Sequence, residues 1–238
     1  MNRQTSSFSQ QLGNTLVIIL ILLVVITIIG TIAIRQGLLS LKVATNSQAQ
    51  SLLLQNTDAY FFKLEAGTEK QKIFNASKFG PIGYAAQPEN IGQEISYCFT
   101  RNNEQAFDTN TVGKFVSGTG LSKGYCNPAS ADNFTSGRKA VMTQVTIKVE
   151  NKASSPLENY IPGTDTELVN PAMRIRVNVV SLMPAMSSAT NTTLINCLKN
   201  NPAEAATPTG TTKTSCLRTN DIPYNAQVTD YKQSNSPQ

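Results

Sequence analysis

The run TLVIILILLVVITIIGTIAI, from Thr15 to Ile34, limits what this chain can fold into more than any other stretch. Its twenty consecutive residues carry no charge and no proline, and as a helix they reach roughly 30 Å, the thickness of a bilayer's hydrocarbon core. Helical character does not end there, because no proline occurs before Pro81. At about 100° per residue, Leu38, Leu41, Ala44, Leu52, Ala59 and Phe62 share one arc, which is expected to pack. Lys42, Asn46, Gln50 and Lys63 lie opposite, while Thr45, Gln48 and Asn56 intrude on the apolar arc. Gly67 is the expected stop, as a residue free to take a left-handed conformation. The expectation is one helix from about Asn14 to Ala66, roughly 80 Å long, half in lipid and half the spine of a soluble domain.

A secretory signal peptide has an apolar region of only ~7 to 15 residues followed by a small-residue cleavage site, so this run is too long. A plain signal anchor fits the length. What precedes the run points elsewhere: a short polar leader, MNRQTSSFSQQL, then Gly13, then NTLVIILILL. This resembles the class III signal of type IV prepilins, cut after a glycine on the cytoplasmic side so that the anchor survives. Within that superfamily, the stretch from Gly13 to Glu65 resembles the N-terminal region of PilX-type minor pilins. The shared features are G-x-x-L-V at the processing site, Gly30 late in the apolar run, Arg35 straight after it, and an A-x-N-x-Q-like stretch at Ala44 to Gln48. Asn14 replaces the usual phenylalanine after the cut, and Ile18 stands where major pilins place a glutamate; both departures fit a minor pilin. The leader holds a single basic residue, Arg3.

Charged residues make up 15% of the chain, below the ~25% usual for soluble domains, and neutral polar residues take their place. The net charge of +5 raises the question of nucleic acid. The basic residues are scattered, however, and nucleic-acid binding is not expected. Charge is also a poor guide to orientation, since Arg35 and Lys42 beyond the span outnumber Arg3 before it. Cysteines are more informative. Cys98, Cys126, Cys197 and Cys216 all follow the span and none forms a C-x-x-C pair, which indicates a disulfide framework in an oxidising compartment. Three pairings are possible. Short loops favour Cys98 with Cys126 and Cys197 with Cys216, each bracketing turn-rich sequence.

Thr68 to about Asn90, broken by Gly80, Pro81, Gly83 and Pro88, is expected to be a loop-rich connection. EISYCFT alternates as a half-buried strand, with Ile95, Tyr97 and Phe99 on one face, and a shorter strand is expected at Val112 to Val116. Gly118 to Pro128 is a turn region without phosphate-loop spacing. The two strongest strands follow. KAVMTQVTIKVE places Val141, Val145, Ile147 and Val149 on one face and Gln144, Thr146, Lys148 and Glu150 on the other. MRIRVNVVSL places Met173, Ile175, Val177 and Val179 inward and Arg174, Arg176 and Asn178 outward. Such alternation predicts an antiparallel sheet with one wet face, its apolar side against the second half of the helix. Asn151 to Pro171 is expected to be a long surface loop. From Pro184 periodicity fades, the segment between Cys197 and Cys216 is expected to need its staple, and residues after about Asp230 are expected to fray.

With no histidine in the chain, His-based triads, imidazole metal ligands and His general bases are excluded. The one S-x-x-K spacing, Ser136 and Lys139, runs toward a strand, whereas acyl-transferases place it on a helix. Asp165 and Glu167 lack EF-hand spacing. No catalytic, cofactor or metal residue is assigned and no enzyme activity is expected.

The expected fold is α+β and type IV pilin-like, a long N-terminal helix on an antiparallel sheet with disulfide-stapled loops. Residues 1–13 form the leader, 14–35 the transmembrane half and 36–238 the periplasmic or extracellular domain. The resemblance implies a subunit of the Gram-negative inner membrane cut by prepilin peptidase between Gly13 and Asn14 and N-methylated at Asn14. It further implies assembly with other minor and major pilins and a large PilY-type tip protein in a complex that primes the filament, within a system serving twitching motility and adhesion. A type II secretion pseudopilin resembling GspK and a signal-anchored periplasmic binding domain are the alternatives.

Overall fold

The computed structural model describes residues 12–65, 68–100, 107–116, 118–135, 138–151, 173–200 and 211–233. The chain divides into two compact units, Met1–Gln48 and Ala49–Gln238. Helix α1, Leu12–Glu65, spans 54 residues without interruption and supplies the described part of the first unit and the start of the second. No described residue from 16 to 48 is buried.

The second unit is an α+β domain of pilin-like architecture. Its six strands are β1 (Glu94–Phe99), β2 (Gly113–Val116), β3 (Gly120–Leu121), β4 (Met142–Asn151), β5 (Met173–Leu182) and β6 (Tyr224–Gln233). They form one sheet in the order β3-β2-β1-β4-β5-β6, every neighbouring pair antiparallel. Short helices α2 (Glu69–Ala76) and α3 (Pro81–Ala85) follow α1, and α4 (Asn191–Lys199) and α5 (Lys213–Thr219) lie between β5 and β6.

On one face, the α1 residues Tyr60 and Phe61 join Ile95, Tyr97, Val145, Ile147, Val149, Ile175, Val177 and Val179 in a continuous core. Ala49 and Leu53 pack with Val141 and Met183 at the lower end. Alternation along β1, β4 and β5 thus builds the apolar face as the period of two requires.

The helix meets this face with a different arc from the one its leucines suggest. Leu52 and Phe62 are 44% and 70% exposed, and Ala59 is exposed too; Leu38 and Leu41 are exposed within the first unit. The packed positions are Ala49, Leu53, Thr57, Tyr60 and Phe61, about a third of a turn round the helix at 100° per residue. The reason is local. Leu52, Leu53 and Leu54 are consecutive, so a leucine falls on every candidate arc, and the true arc contains a polar residue that a hydropathy count places in water. Thr57 can be buried because its hydroxyl donates to Leu53 O at 2.8 Å and lies within hydrogen-bond distance of Ser181 Oγ at 3.1 Å.

The connection after α1 is helical where a loop is expected. Pro81 opens α3 at its first turn, where its missing N–H costs no bond. The second face of the sheet is also less wet than alternation implies. Ser96, Gln144, Thr146 and Asn178 are buried, because α4 and α5 cover this side through Leu194, Leu198 and Leu217 packed with Met142, Val180 and Leu182. The C-terminal region therefore has a small core of its own, and strand β6 continues past Asp230, where fraying is expected, to Gln233; residues 234–238 lie outside those described. The Asn151 to Pro171 connection, apart from Asn151, lies outside the described residues, as do Gly67, Ser136, Asp165 and Glu167.

Candidate assembly surfaces

Every large apolar side chain from Leu16 to Ile34 is exposed, between 45% and 69%. Apolar surface of that extent is costly in water, so this half of α1 needs lipid or other helices around it. It is the one helix among the described residues long and apolar enough to cross a membrane. Its few polar side chains are reconciled with such surroundings by local bonds. Thr27 Oγ1 donates to Val24 O and Thr31 Oγ1 to Ile28 O, each at 2.8 Å, so neither hydroxyl is unpaired in an apolar medium. Gly13 and Asn14 lie inside the first turns of the helix, which begins at Leu12. Ile18 is 56% exposed and presents only hydrocarbon where a carboxylate would need a partner.

The domain half of α1 is held by an aromatic cluster. Tyr60 meets Phe61, Tyr97 and Phe99 edge-on at centroid distances of 5.9, 6.4 and 5.3 Å, a favoured geometry. Lys63 Nζ lies 5.2 Å from the Phe99 centroid. On its other flank, Asp58 accepts from Gln227 Nε2 at 2.9 Å and Glu65 from the Tyr231 hydroxyl. These bonds fasten α1 to β6, a strand that sequence alternation misses because Asn225, Gln227, Thr229 and Tyr231, on the face toward α1, are polar or amphipathic.

Disulfides join Cys98 to Cys126 and Cys197 to Cys216. The first ties β1 to the turn region after β3. The second joins α4 to α5, two helices each begun by a threonine cap: Thr190 accepts from Thr193 N–H and Thr212 from Ser215 N–H. Such caps satisfy otherwise open first-turn donors.

Under these helices lies a buried polar row that sequence reasoning did not anticipate. Gln144 Nε2 donates to Ser96 Oγ and to Leu198 O, both at 3.0 Å, and its carbonyl accepts from Cys126 N–H at 3.3 Å. Lys213, 1% exposed, directs Nζ to Thr146 Oγ1 at 3.5 Å. Burial pushes its ammonium down to about 8, with the Glu94 charge opposing the shift. Burial likewise raises the Glu94 carboxyl, against Lys148 and Lys213. Sealed from solvent, the Lys213 amine serves as a packed donor. Farther along this face, Asp230 accepts from both Arg176 and Arg174, which hold its carboxyl down at about 2, and Lys148 pairs with Glu150 at 2.9 Å. Among the described residues no group of three or more His, Cys, Asp or Glu is placed to hold a metal ion.

The sequence model of the family described as PilX N-terminal matches residues 13–62. No curated protein and no solved structure matches the chain.

Proposed function

Starting from a PilX-type pilin N-terminal region over residues 13–62, which supports a type IV pilin-related role, we propose that the chain is a minor pilin acting in the tip or priming complex of a type IV pilus. The observation that carries the reading is the coincidence of that matched region with α1, which runs unbroken from Leu12 through an apolar half exposed on all sides to a domain half packed on a sheet. Function on this reading is assembly and not catalysis. Prepilin peptidase cuts between Gly13 and Asn14, leaving the anchor in the inner membrane with the disulfide-bonded domain in the periplasm. Leaving lipid becomes favourable when the apolar half packs on the same segment of other minor and major pilins, and a PilY-type tip protein caps the complex.

Ile18 supports a place at the leading end. A carboxylate at that position in lipid or a filament core is costly unless paired, so its use in major pilins makes sense where each subunit meets the charged terminus of a neighbour. A subunit with isoleucine there has no such requirement, and the first subunit of a filament has no preceding terminus to meet.

Deleting the chain is expected to reduce pilus number while leaving the shaft of remaining filaments unchanged, and gold-labelled antibody is expected at filament ends in few copies. Label spread evenly along the shaft at the abundance of the major subunit contradicts the proposal.

A further inference from the structure

Strand β6 closes one end of the sheet, ten residues long and free of proline. Met183 N–H donates to Pro223 O at 3.1 Å, in register with the β5–β6 pairing. The pairs of the same parity, Ser181–Asn225, Val179–Gln227, Val177–Thr229 and Ile175–Tyr231, are therefore the hydrogen-bonded ones. The N–H and C=O groups of Tyr224, Ala226, Val228 and Asp230 consequently point away from β5, and among the described residues they meet no other hydrogen-bond partner. At the opposite edge, β3 has two residues, the usual way a sheet avoids offering a template. β6 has no such protection.

The flank of α1 beside this edge is defined by the Asp58–Gln227 and Glu65–Tyr231 bonds. One turn either side of Asp58, on the same stripe, stand Leu54 and Phe62, 44% and 70% exposed. They are eight helical residues apart, about 12 Å, close to the ~13 Å covered by four residues of an extended strand. We infer that β6 is a strand-addition edge for an extended segment of another protein. The segment's residues facing α1 read apolar, basic, apolar at positions i, i+2 and i+4, to meet Leu54, the Asp58 carboxylate and Phe62.

A second copy of this chain fits less well. β6 runs in the same direction as α1, since Gln227 bonds to Asp58 and Tyr231 to Glu65. Antiparallel pairing of two β6 edges would present the second copy's Asn225, Gln227, Thr229 and Tyr231 to this flank, a row with no basic residue. Parallel pairing would present the second copy's Tyr224, Ala226, Val228 and Asp230 to this flank, a row with no basic residue between two apolar ones.

The inference does not depend on the pilus reading, and its test uses the full-length chain in detergent micelles. The probe is a synthetic peptide alternating threonine with leucine, lysine, leucine and lysine, and amide exchange is followed residue by residue. Exchange at Ala226, Val228 and Asp230 is expected to slow by about tenfold or more with the peptide, and not with a version N-methylated at alternate residues. Val228→Pro removes an outward N–H and leaves the β5–β6 bonds in place, so it should abolish the slowing at Ala226 and Asp230 while β5 amides stay protected. No peptide-dependent slowing at these amides overturns the inference, as does equal slowing by the N-methylated peptide or persistence of the effect in Val228→Pro. Slowing without peptide, accompanied by dimer in sedimentation, would assign the edge to a second copy instead.

Discussion

The hydroxyls of Tyr60 on α1 and Tyr97 on β1 lie 2.6 Å apart, with both residues buried, so the helix is tied to the sheet by a polar bond inside an aromatic core. Burial raises both phenols well above 10, so the pair is neutral at neutral pH. Replacing either tyrosine alone by phenylalanine leaves the other hydroxyl buried without this partner and should cost about 1–3 kcal/mol. The double variant should cost less than the sum, as expected for residues in contact. Denaturant unfolding of the full chain in micelles measures all three.

The packed arc of α1 gives a second expectation. Leu53→Ala should destabilise the domain by about 2–5 kcal/mol, the range for a fully buried leucine. Leu52→Ala, one residue earlier and 44% exposed, should change stability by about 0.5 kcal/mol or less. Equal effects would mean that the helix meets the sheet with the arc its leucines first suggest.

The apolar span, the strand alternation of β1, β4 and β5 and the antiparallel sheet were legible in the sequence because hydrophobicity alone encodes them. What was not legible depends on hydrogen bonds made across the fold. Thr57 reads as a surface residue until Ser181 is beside it, and Gln144 reads as solvent-facing until α4 supplies the Leu198 carbonyl. β6 has no apolar alternation because its α1-facing residues are polar or amphipathic, Gln227 and Tyr231 among them bonding to carboxylates on the helix. α4 and α5 are too short for periodicity to reveal, and their threonine caps and shared disulfide were the available signals.

Lys213 predicts a pH dependence whose sign follows from burial. Its folded pKa of about 8 lies below the ordinary value of about 10.4, so the unfolded chain binds more protons between the two. Stability should rise as pH increases across that window and be lost as pH falls back through about 8. Lys213→Met should flatten the profile from about pH 8 to 10, as followed by urea midpoints. An unchanged slope in the variant would place the titration elsewhere.

The Cys197–Cys216 bridge closes a separation of 19 residues, worth about 3 kcal/mol in the chain-entropy view. Cys197→Ser should therefore expose α4 and α5 amides to exchange while β4 and β5 keep their protection, because Val145, Ile147, Val177 and Val179 pack against α1 on the other face. Equal loss in both regions would show the two faces unfolding as one unit.

The mass of the mature chain's N-terminus tests the central reading most directly. Protein isolated from membranes or pili should begin at Asn14 and carry one added methyl on its amino group, and Gly13 replaced by a bulkier residue should leave the uncut precursor out of filaments. A chain that still begins at Met1 in assembled pili, or one cut after the apolar run, would contradict the assignment.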